Sequence, residues 1–116
     1  MRVDAGASIV VESRRAPAGE IGIVVDGDVL IDGCVINRTQ GPEDRSGDIT
    51  VASRCGDLHV GLSGLVQTEG GGDITLLTGG DPTAGVGGYI DISGRVHAGY
   101  RTTPPTIRVV AFDDRV

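Results

Sequence analysis

The sequence is poor in aromatic side chains and contains no lysine at all. Aromatic residues make up 3% of the 116 residues and tryptophan is absent, so the large rings that usually dominate a globular core are missing. A chain of this length forms one domain with one modest core. That core must therefore be built from valine, isoleucine, leucine and alanine, whose small side chains suit a narrow interior.

Charge and hydropathy argue against two classes of partner. The ten basic residues, all arginine, stand against 16 acidic ones for a net charge of −6, whereas a nucleic-acid-binding surface needs a basic patch. No apolar run reaches the roughly 18 residues of a membrane span, so membrane insertion is not expected. The N-terminal stretch lacks the apolar segment of a secretory signal. An exported form then requires a removed signal, a longer parent chain or another route.

Glycine is abundant, and its distribution indicates the type of backbone. The 20 glycines follow no triplet period, which excludes a collagen helix. β-branched residues flanked by glycine and aspartate favour short strands joined by tight turns. The sequence therefore predicts an all-β chain.

Internal repeats organise this chain. Three blocks align with gaps, beginning GEIGIVV, GDITVAS and GDITLLT, and a fourth start, TIRVVAFDDRV, closes the sequence. We interpret residues 19–46, 47–71 and 72–106 as three coils, with an N-terminal partial coil or cap in 1–18 and a final partial coil in 107–116. Length differences fall between the recurring segments, as they do in solenoid proteins.

Each block contains three short segments whose alternate positions are aliphatic. The aligned columns are Ile21/Ile49/Ile74, Ile23/Val51/Leu76, Val29/Leu58/Ile90, Ile31/Val60/Ile92 and Val35/Val66/Val96. Alternation of period two directs these side chains to one face, and strands stacked about 4.8 Å apart place them in ladders inside a hydrophobic cylinder, called the bore below. Glycines precede the segments and are expected to allow positive φ at corners where required: Gly19, Gly47, Gly72, Gly27, Gly56, Gly88, Gly33, Gly64 and Gly94.

The Gly-Asp-aliphatic-x-aliphatic units, spread over roughly residues 19 to 110, resemble those of right-handed parallel β-helix proteins, including the haemagglutinin-like repeats of bacterial surface and fibre proteins. The resemblance implies a single-stranded right-handed parallel β-helix, or solenoid, of about three to four coils with three short strands each. The handedness comes from the resemblance alone. Because such folds serve adhesins, phage tail spikes, polysaccharide lyases and filaments, it implies no particular activity.

Acidic residues form one column that deserves a chemical interpretation. Glu20, Asp48 and Asp73 each follow the first glycine of a block. Stacked carboxylates could bind Ca²⁺, but Gly-Asp is also ordinary turn chemistry in which the carboxylate accepts backbone N–H groups. The Ca²⁺-binding nonapeptide pattern is not met. We therefore favour corner residues, and predict no metal and no cofactor.

Thiols and imidazoles are too scattered to suggest a reactive centre. Cys34 aligns with outward positions and Cys55 with a corner at Asp26, so free thiols are expected, with an intersubunit disulfide as the alternative. His59 and His97 fall at outward positions of different segments. No nucleophile, base and acid can be assembled from them.

Nothing in the sequence predicts a catalytic residue. Outward positions are mostly uncharged, with a few acids such as Asp91, whereas a glycosidase needs a pair of carboxylates. The loops are too short to wall a substrate groove, so we expect no enzyme. The tripeptide NRT at Asn37 is a glycosylation sequon of the kind that arises by chance, and Asp113–Asp114 is interpreted as a solvated tail.

The ends of a solenoid leave strand edges unpaired unless something covers them. The segment ASIVVES supplies a further strand with Ile9 and Val11, and Pro17 prevents a helix from continuing. At the other end Phe112 is a candidate plug for the bore. Neither end predicts a helical cap. We expect the ends to stack head-to-tail on another copy, or on flanking coils of a longer chain; a terminal strand tucked across the edge is the simpler alternative.

The function expected from these features is non-enzymatic and structural: a β-solenoid module that builds or extends an extracellular filament or surface fibre. The alternatives are a segment of a bacterial surface adhesin, or a phage tail-spike-like β-helix that binds or processes carbohydrate, with surface glycans as ligands. Because Val66 and Val96 are assigned to the bore and Thr75 to the outside, Val66→Asp and Val96→Asp are expected to destabilise the fold. Thr75→Asp should cost little.

Overall fold

The computed structural model describes residues 1–13, 19–39, 47–79, 88–99 and 105–111. Within these ranges the chain forms strands and turns, and no helix is long and apolar enough to cross a membrane. Pro17, Phe112 and Asp113–Asp114, on which three of the expectations above depend, lie outside the described residues. The strands are β1 (Arg2–Val3), β2 (Ser8–Ser13), β3 (Ile21–Val25), β4 (Val29–Ile31), β5 (Cys34–Thr39), β6 (Ile49–Ser53), β7 (Leu58–Val60), β8 (Leu65–Glu69), β9 (Ile74–Thr78), β10 (Ile90–Ile92), β11 (Arg95–Gly99) and β12 (Ile107–Ala111).

Successive strands enter three different sheets in rotation. The described strands form a first sheet of order β1-β4-β7-β10, a second of order β2-β5-β8-β11 and a third of order β3-β6-β9-β12. All pairings are parallel. The chain therefore winds through four coils: coil 1 (β1–β3), coil 2 (β4–β6), coil 3 (β7–β9) and coil 4 (β10–β12). This confirms the predicted all-β parallel solenoid.

The predicted ladders are in register. Ile49 pairs with Ile21 on one side and Ile74 on the other, and Ile107 continues the same column into coil 4. The column Ile23/Val51/Leu76 pairs in the same third sheet, and the other aligned columns pair in the same way in the first and second sheets. Most of these side chains are fully buried in coils 2 and 3. The structure thus places the core in a narrow aliphatic bore that runs along the solenoid.

The corner glycines serve a purpose different from the one expected. None of the nine aligned glycines has a positive φ; within the described ranges that conformation occurs at Gly6, Gly70, Gly71 and Gly79. At Gly33 a Cβ would overlap the carbonyl oxygen of Ala7 in the coil below. Gly64 and Gly94 meet backbone carbonyls in the same manner. These corners require glycine because the coils approach each other too closely for a side chain.

Candidate functional site

The predicted acidic column bonds one coil to the next. The carboxylate oxygen Oδ1 of Asp48 accepts the backbone N–H of Asp73 at 2.8 Å, and Oδ1 of Asp73 accepts that of Thr106 at 2.9 Å. Glu20 begins this column and is exposed. In the described part of the chain, no group of three or more His, Cys, Asp or Glu side chains is arranged to hold a metal ion. The carboxylates of Asp48 and Asp73 act as hydrogen-bond acceptors between coils, which is the corner role that the sequence favoured.

A second acidic column, which sequence reasoning missed, lies at the corner before the first sheet. Oδ1 of Asp28 accepts the N–H of Asp57 at 2.8 Å, and Oδ1 of Asp57 accepts the N–H of Tyr89 at 3.0 Å. The signal was present as the Gly-Asp pairs before β4 and β7. In coil 4 the corresponding residues are Tyr89 and Thr106, so both aspartate columns end there.

Polar side chains inside the ends of the strands were also missed. Thr68 Oγ1 donates to the Gly72 carbonyl at 2.7 Å, and Ser53 Oγ donates to the Gly27 carbonyl at 2.6 Å. Asn37 is 0% exposed and its Nδ2 donates to the Gly19 carbonyl at 2.7 Å. These groups satisfy corner carbonyls that would otherwise be buried without a partner. Because Asn37 is enclosed, the sequon cannot be glycosylated in the folded chain.

The cysteines remain thiols and do not meet. Cys34 pairs in the ladder with Leu65, as aligned, and both Cys34 and Cys55 are free and half-buried. The hydrogen bonds correct one detail of the alignment. Arg54 follows the paired Ser53 and lies beside Asp26, with a 3.4 Å contact between its Nη1 and Oδ1 of Asp26. Cys55 therefore falls one residue further along the corner, because this corner of coil 2 is longer than that of coil 1.

The two histidines lie on different sheets, as predicted. His59 projects from the first sheet, where its ring packs edge-to-face on Tyr89 with centroids 5.3 Å apart, and its Nδ1 lies 3.6 Å from Oδ2 of Asp91. His97 is exposed on the second sheet. The cluster around His59 joins coils 3 and 4 on the surface. A partly exposed contact of this kind contributes little to stability because solvent screens it.

A shallow groove lies on the third sheet, between β9 and β12. Its volume is about 190 Å³, and it is lined by Asp73, Thr75, Thr106 and Arg108. The Asp73 carboxylate is already engaged by the Thr106 N–H. No aromatic ring lines the groove for a sugar to stack on, and its volume lies below the roughly 300 Å³ of an ordinary small-molecule pocket. The groove therefore does not single out a substrate.

The most distinctive surface is the end of the bore at coil 4. The inward side chains there are open to solvent: Ile92 is 39% exposed, Ile107 45% and Val109 47%. Their partners in coil 3 are sealed, with Val60 at 1% and both Ile74 and Leu76 at 0%. Strands β10, β11 and β12 also occupy the edges of their sheets. Coil 4 thus presents apolar side chains together with strands that have no further partner among the described residues.

The end at coil 1 differs from this. Its inward residues Val3, Ile21 and Ile23 are only 4%, 6% and 9% exposed, although β1, β2 and β3 are edge strands too. The two ends of the solenoid are therefore unequal. The end at coil 4 is the candidate site for association.

Comparison with family models, with curated proteins and with solved structures returned no match. The likeness to haemagglutinin-like repeats therefore remains a likeness of repeat pattern. The parallel solenoid itself rests on the sheet topology and register described above.

Proposed function

We propose that this chain is a non-enzymatic structural module whose end coils stack on further β-coils and so build or extend an extracellular filament or surface fibre. The observation that carries the proposal is the open bore at coil 4, where Ile107 and Val109 are 45% and 47% exposed. The equivalent residues one coil further in are completely buried. A coil added beyond coil 4 would bury them in turn.

Two physical effects favour such an addition. Removing apolar surface from water contributes about 25 cal/mol for each Å², and the inward side chains of coil 4 supply that surface. An unpaired strand edge also offers backbone N–H and C=O groups as a template for another strand. Strands β10, β11 and β12 offer three such edges at once. Addition of one coil would therefore bury the apolar side chains of the bore and pair the strand edges at the same time.

The proposed role is mechanical. Continuous parallel ladders make an element that is stiff along its axis, and each added coil lengthens it. An extracellular or cell-surface location agrees with the resemblance to surface and fibre proteins and with a net charge of −6, which keeps a repetitive protein soluble. In an adhesin the same contact would be made by flanking coils of one long chain.

Sedimentation velocity over a wide range of concentrations, followed by electron microscopy, tests the proposal. We expect the purified chain to associate in a concentration-dependent manner and to form elongated particles. Val109→Asp places a charge in the open bore and should abolish association while the fold persists. The matched control is Leu62→Asp, because Leu62 is 86% exposed on a turn of coil 3, away from both ends. A folded wild-type chain that stays monomeric throughout would refute the proposal.

A further inference from the structure

The corner between the first and second sheets alternates in length from coil to coil. It contains four residues in coil 1 (4–7), two in coil 2 (32–33), four in coil 3 (61–64) and two in coil 4 (93–94). The longer corners are closed turns, with Ala7 N–H donating to Asp4 O at 2.9 Å and Gly64 N–H donating to Gly61 O at 2.8 Å. The structural repeat at this corner is therefore two coils rather than one.

The hydrogen bonds across this corner repeat with the same two-coil period. Gly33 N–H donates to Val3 O at 2.9 Å where coil 2 lies on coil 1, and Gly94 N–H donates to Val60 O at 3.1 Å where coil 4 lies on coil 3. Gly33 and Gly94 both lie against the carbonyls of the longer turn in the coil before them. Each short corner is thus seated on a long one by matching contacts.

The contact between coils 2 and 3 shows how a long corner follows a short one. Gly61 N–H donates to Ile31 O at 2.8 Å, and Leu65 N–H donates to Gly33 O at 2.9 Å. The last corner, in coil 4, is short, like that of coil 2. Coil 1 has a long corner, like that of coil 3, which stacks on coil 2. A coil 1 placed beyond coil 4 therefore continues the alternation without a break.

We propose that the coil that stacks on coil 4 is coil 1 of a second copy of this chain, head-to-tail and in register, an inference that rests on the proposed function. The ladders fix the partners. Arg2, Leu30, His59 and Asp91 form one outward column of the first sheet. Continuing that column places Asp91 of one copy beside Arg2 of the next, an oppositely charged pair of neighbouring strands.

The apolar contribution to this contact is one-sided. The bore residues of coil 1 are already shielded, whereas those of coil 4 are open. The corners and the pair of Asp91 with Arg2 of the next copy therefore determine which end is chosen, and the bore of coil 4 supplies the apolar surface that is buried. A heterologous contact of this kind propagates instead of closing on itself.

Disulfide cross-linking between two introduced cysteines tests the register directly. Val10, Ile36, Gln67 and His97 form one outward column of the second sheet, so His97 of one copy should lie beside Val10 of the next, about 4.8 Å away. That spacing lies inside the Cα range of a disulfide. In a Cys34→Ser/Cys55→Ser background, Val10→Cys/His97→Cys should oxidise to a ladder of covalent oligomers. Within one molecule the two positions are three coils apart and cannot be joined.

The matched control shifts one cysteine by two residues. Val10→Cys/Arg95→Cys separates the two Cα atoms by about 8 Å in the proposed register, outside the disulfide range, and should give little cross-linking. Charge reversal adds a second test, because Asp91→Arg and Arg2→Asp should each weaken association about two- to tenfold. The double variant should recover most of the loss.

The outcomes separate the inference from the proposed function. A wild-type chain that never associates refutes both. Association with equal or absent cross-linking of the two cysteine pairs refutes the register while stacking itself stands. A closed dimer that does not grow, with charge reversal at Arg2 having no effect, shows that two coil 4 ends meet and refutes the head-to-tail contact.

Discussion

Coils 3 and 4 carry equivalent residues in equivalent columns, yet only coil 3 has a finished core. Ile74 and Ile107 pair directly in the third sheet, and they are 0% and 45% exposed. The same residue type on the same face is thus buried where a further described coil stacks on it, and open where none does. In a solenoid each repeat completes the core of its neighbour, so burial is a property of position in the stack.

The corners of the two coils differ in a second respect. Asp57 and Asp73 in coil 3 accept N–H groups of coil 4, where Tyr89 and Thr106 stand in their place. Coil 4 therefore resembles an interior coil in its bore but carries no aspartate at these two corners. A contact beyond coil 4 lacks the two aspartate hydrogen bonds that join coil 3 to each of its neighbours, so it should be weaker than those two contacts.

The largest effect is expected from Val66→Asp, which buries a carboxylate among aliphatic side chains at a position that is 0% exposed. We expect the free energy of unfolding to fall by more than about 4 kcal/mol, or folding to fail. Urea denaturation followed by circular dichroism measures this. Full stability of the variant would show that Val66 does not lie in the bore.

Val96→Asp tests the same ladder one coil further along, because Val96 is the partner of Val66 in coil 4. The sequence suggested equal damage at the two positions. The structure leaves Val96 half-buried, so its carboxylate can reach water and the loss should be clearly smaller than at Val66. Equal losses would mean that the bore of coil 4 is buried in solution. A loss in the free energy of unfolding of Val96→Asp that grows with protein concentration would then identify stacking as the cause.

Two milder substitutions measure the contribution of apolar burial alone. Ile74→Ala should cost about 3–4 kcal/mol, since removing a buried isoleucine side chain leaves a cavity. Ile107→Ala should cost about 1 kcal/mol in the isolated chain, because the wild-type side chain is already half in water. Thermal unfolding at low protein concentration compares the two. Equal costs would contradict the open bore.

The alternation of aliphatic residues made the three sheets and their register predictable. Ile21, Ile49 and Ile74 could be aligned because a period-two pattern has one interpretation when one face is buried. The two-residue strand β1 was missed, since Arg2–Val3 is too short to show any period. Asn37 and Thr68 were missed because polar residues interrupt the aliphatic pattern.

The candidate site was only partly predictable, for a related reason. No local feature of Ile107 or Val109 distinguishes them from Ile74 and Leu76, so the sequence could indicate an unpaired end but not which end has an open bore. The close contacts between short and long corners of successive coils could not be predicted from the sequence either. The fit of Gly94 on the turn in coil 3 depends on backbone carbonyls, which leave no residue pattern beyond glycine itself.

A smaller effect is expected at the aspartate corner. Asp57→Ala removes the acceptor of the Tyr89 N–H, which joins coil 4 to coil 3. We expect a loss of about 1 kcal/mol, concentrated in coil 4, so amide exchange at Tyr89 should accelerate more than exchange in the core. Asp57→Asn retains an acceptor oxygen and is the control. Uniform acceleration along the chain would contradict a local role for this bond.

The smallest effect is expected at Thr75, which faces outward from β9 beside Arg108 of β12. Thr75→Asp should change the free energy of unfolding by less than about 0.5 kcal/mol, because a carboxylate at this half-buried, outward position still reaches water and the nearby guanidinium offsets repulsion from Asp73. Thr78 is the matched control, since it lies on the same strand but is 0% exposed and donates to the Gly88 carbonyl. Thr78→Asp should cost several times more, because it buries a charge beside a carbonyl that has lost its donor. Similar losses at the two threonines would show that β9 does not present alternate faces to the bore and to solvent. The assignment of Ile74 and Ile107 to one inward column would then be wrong as well.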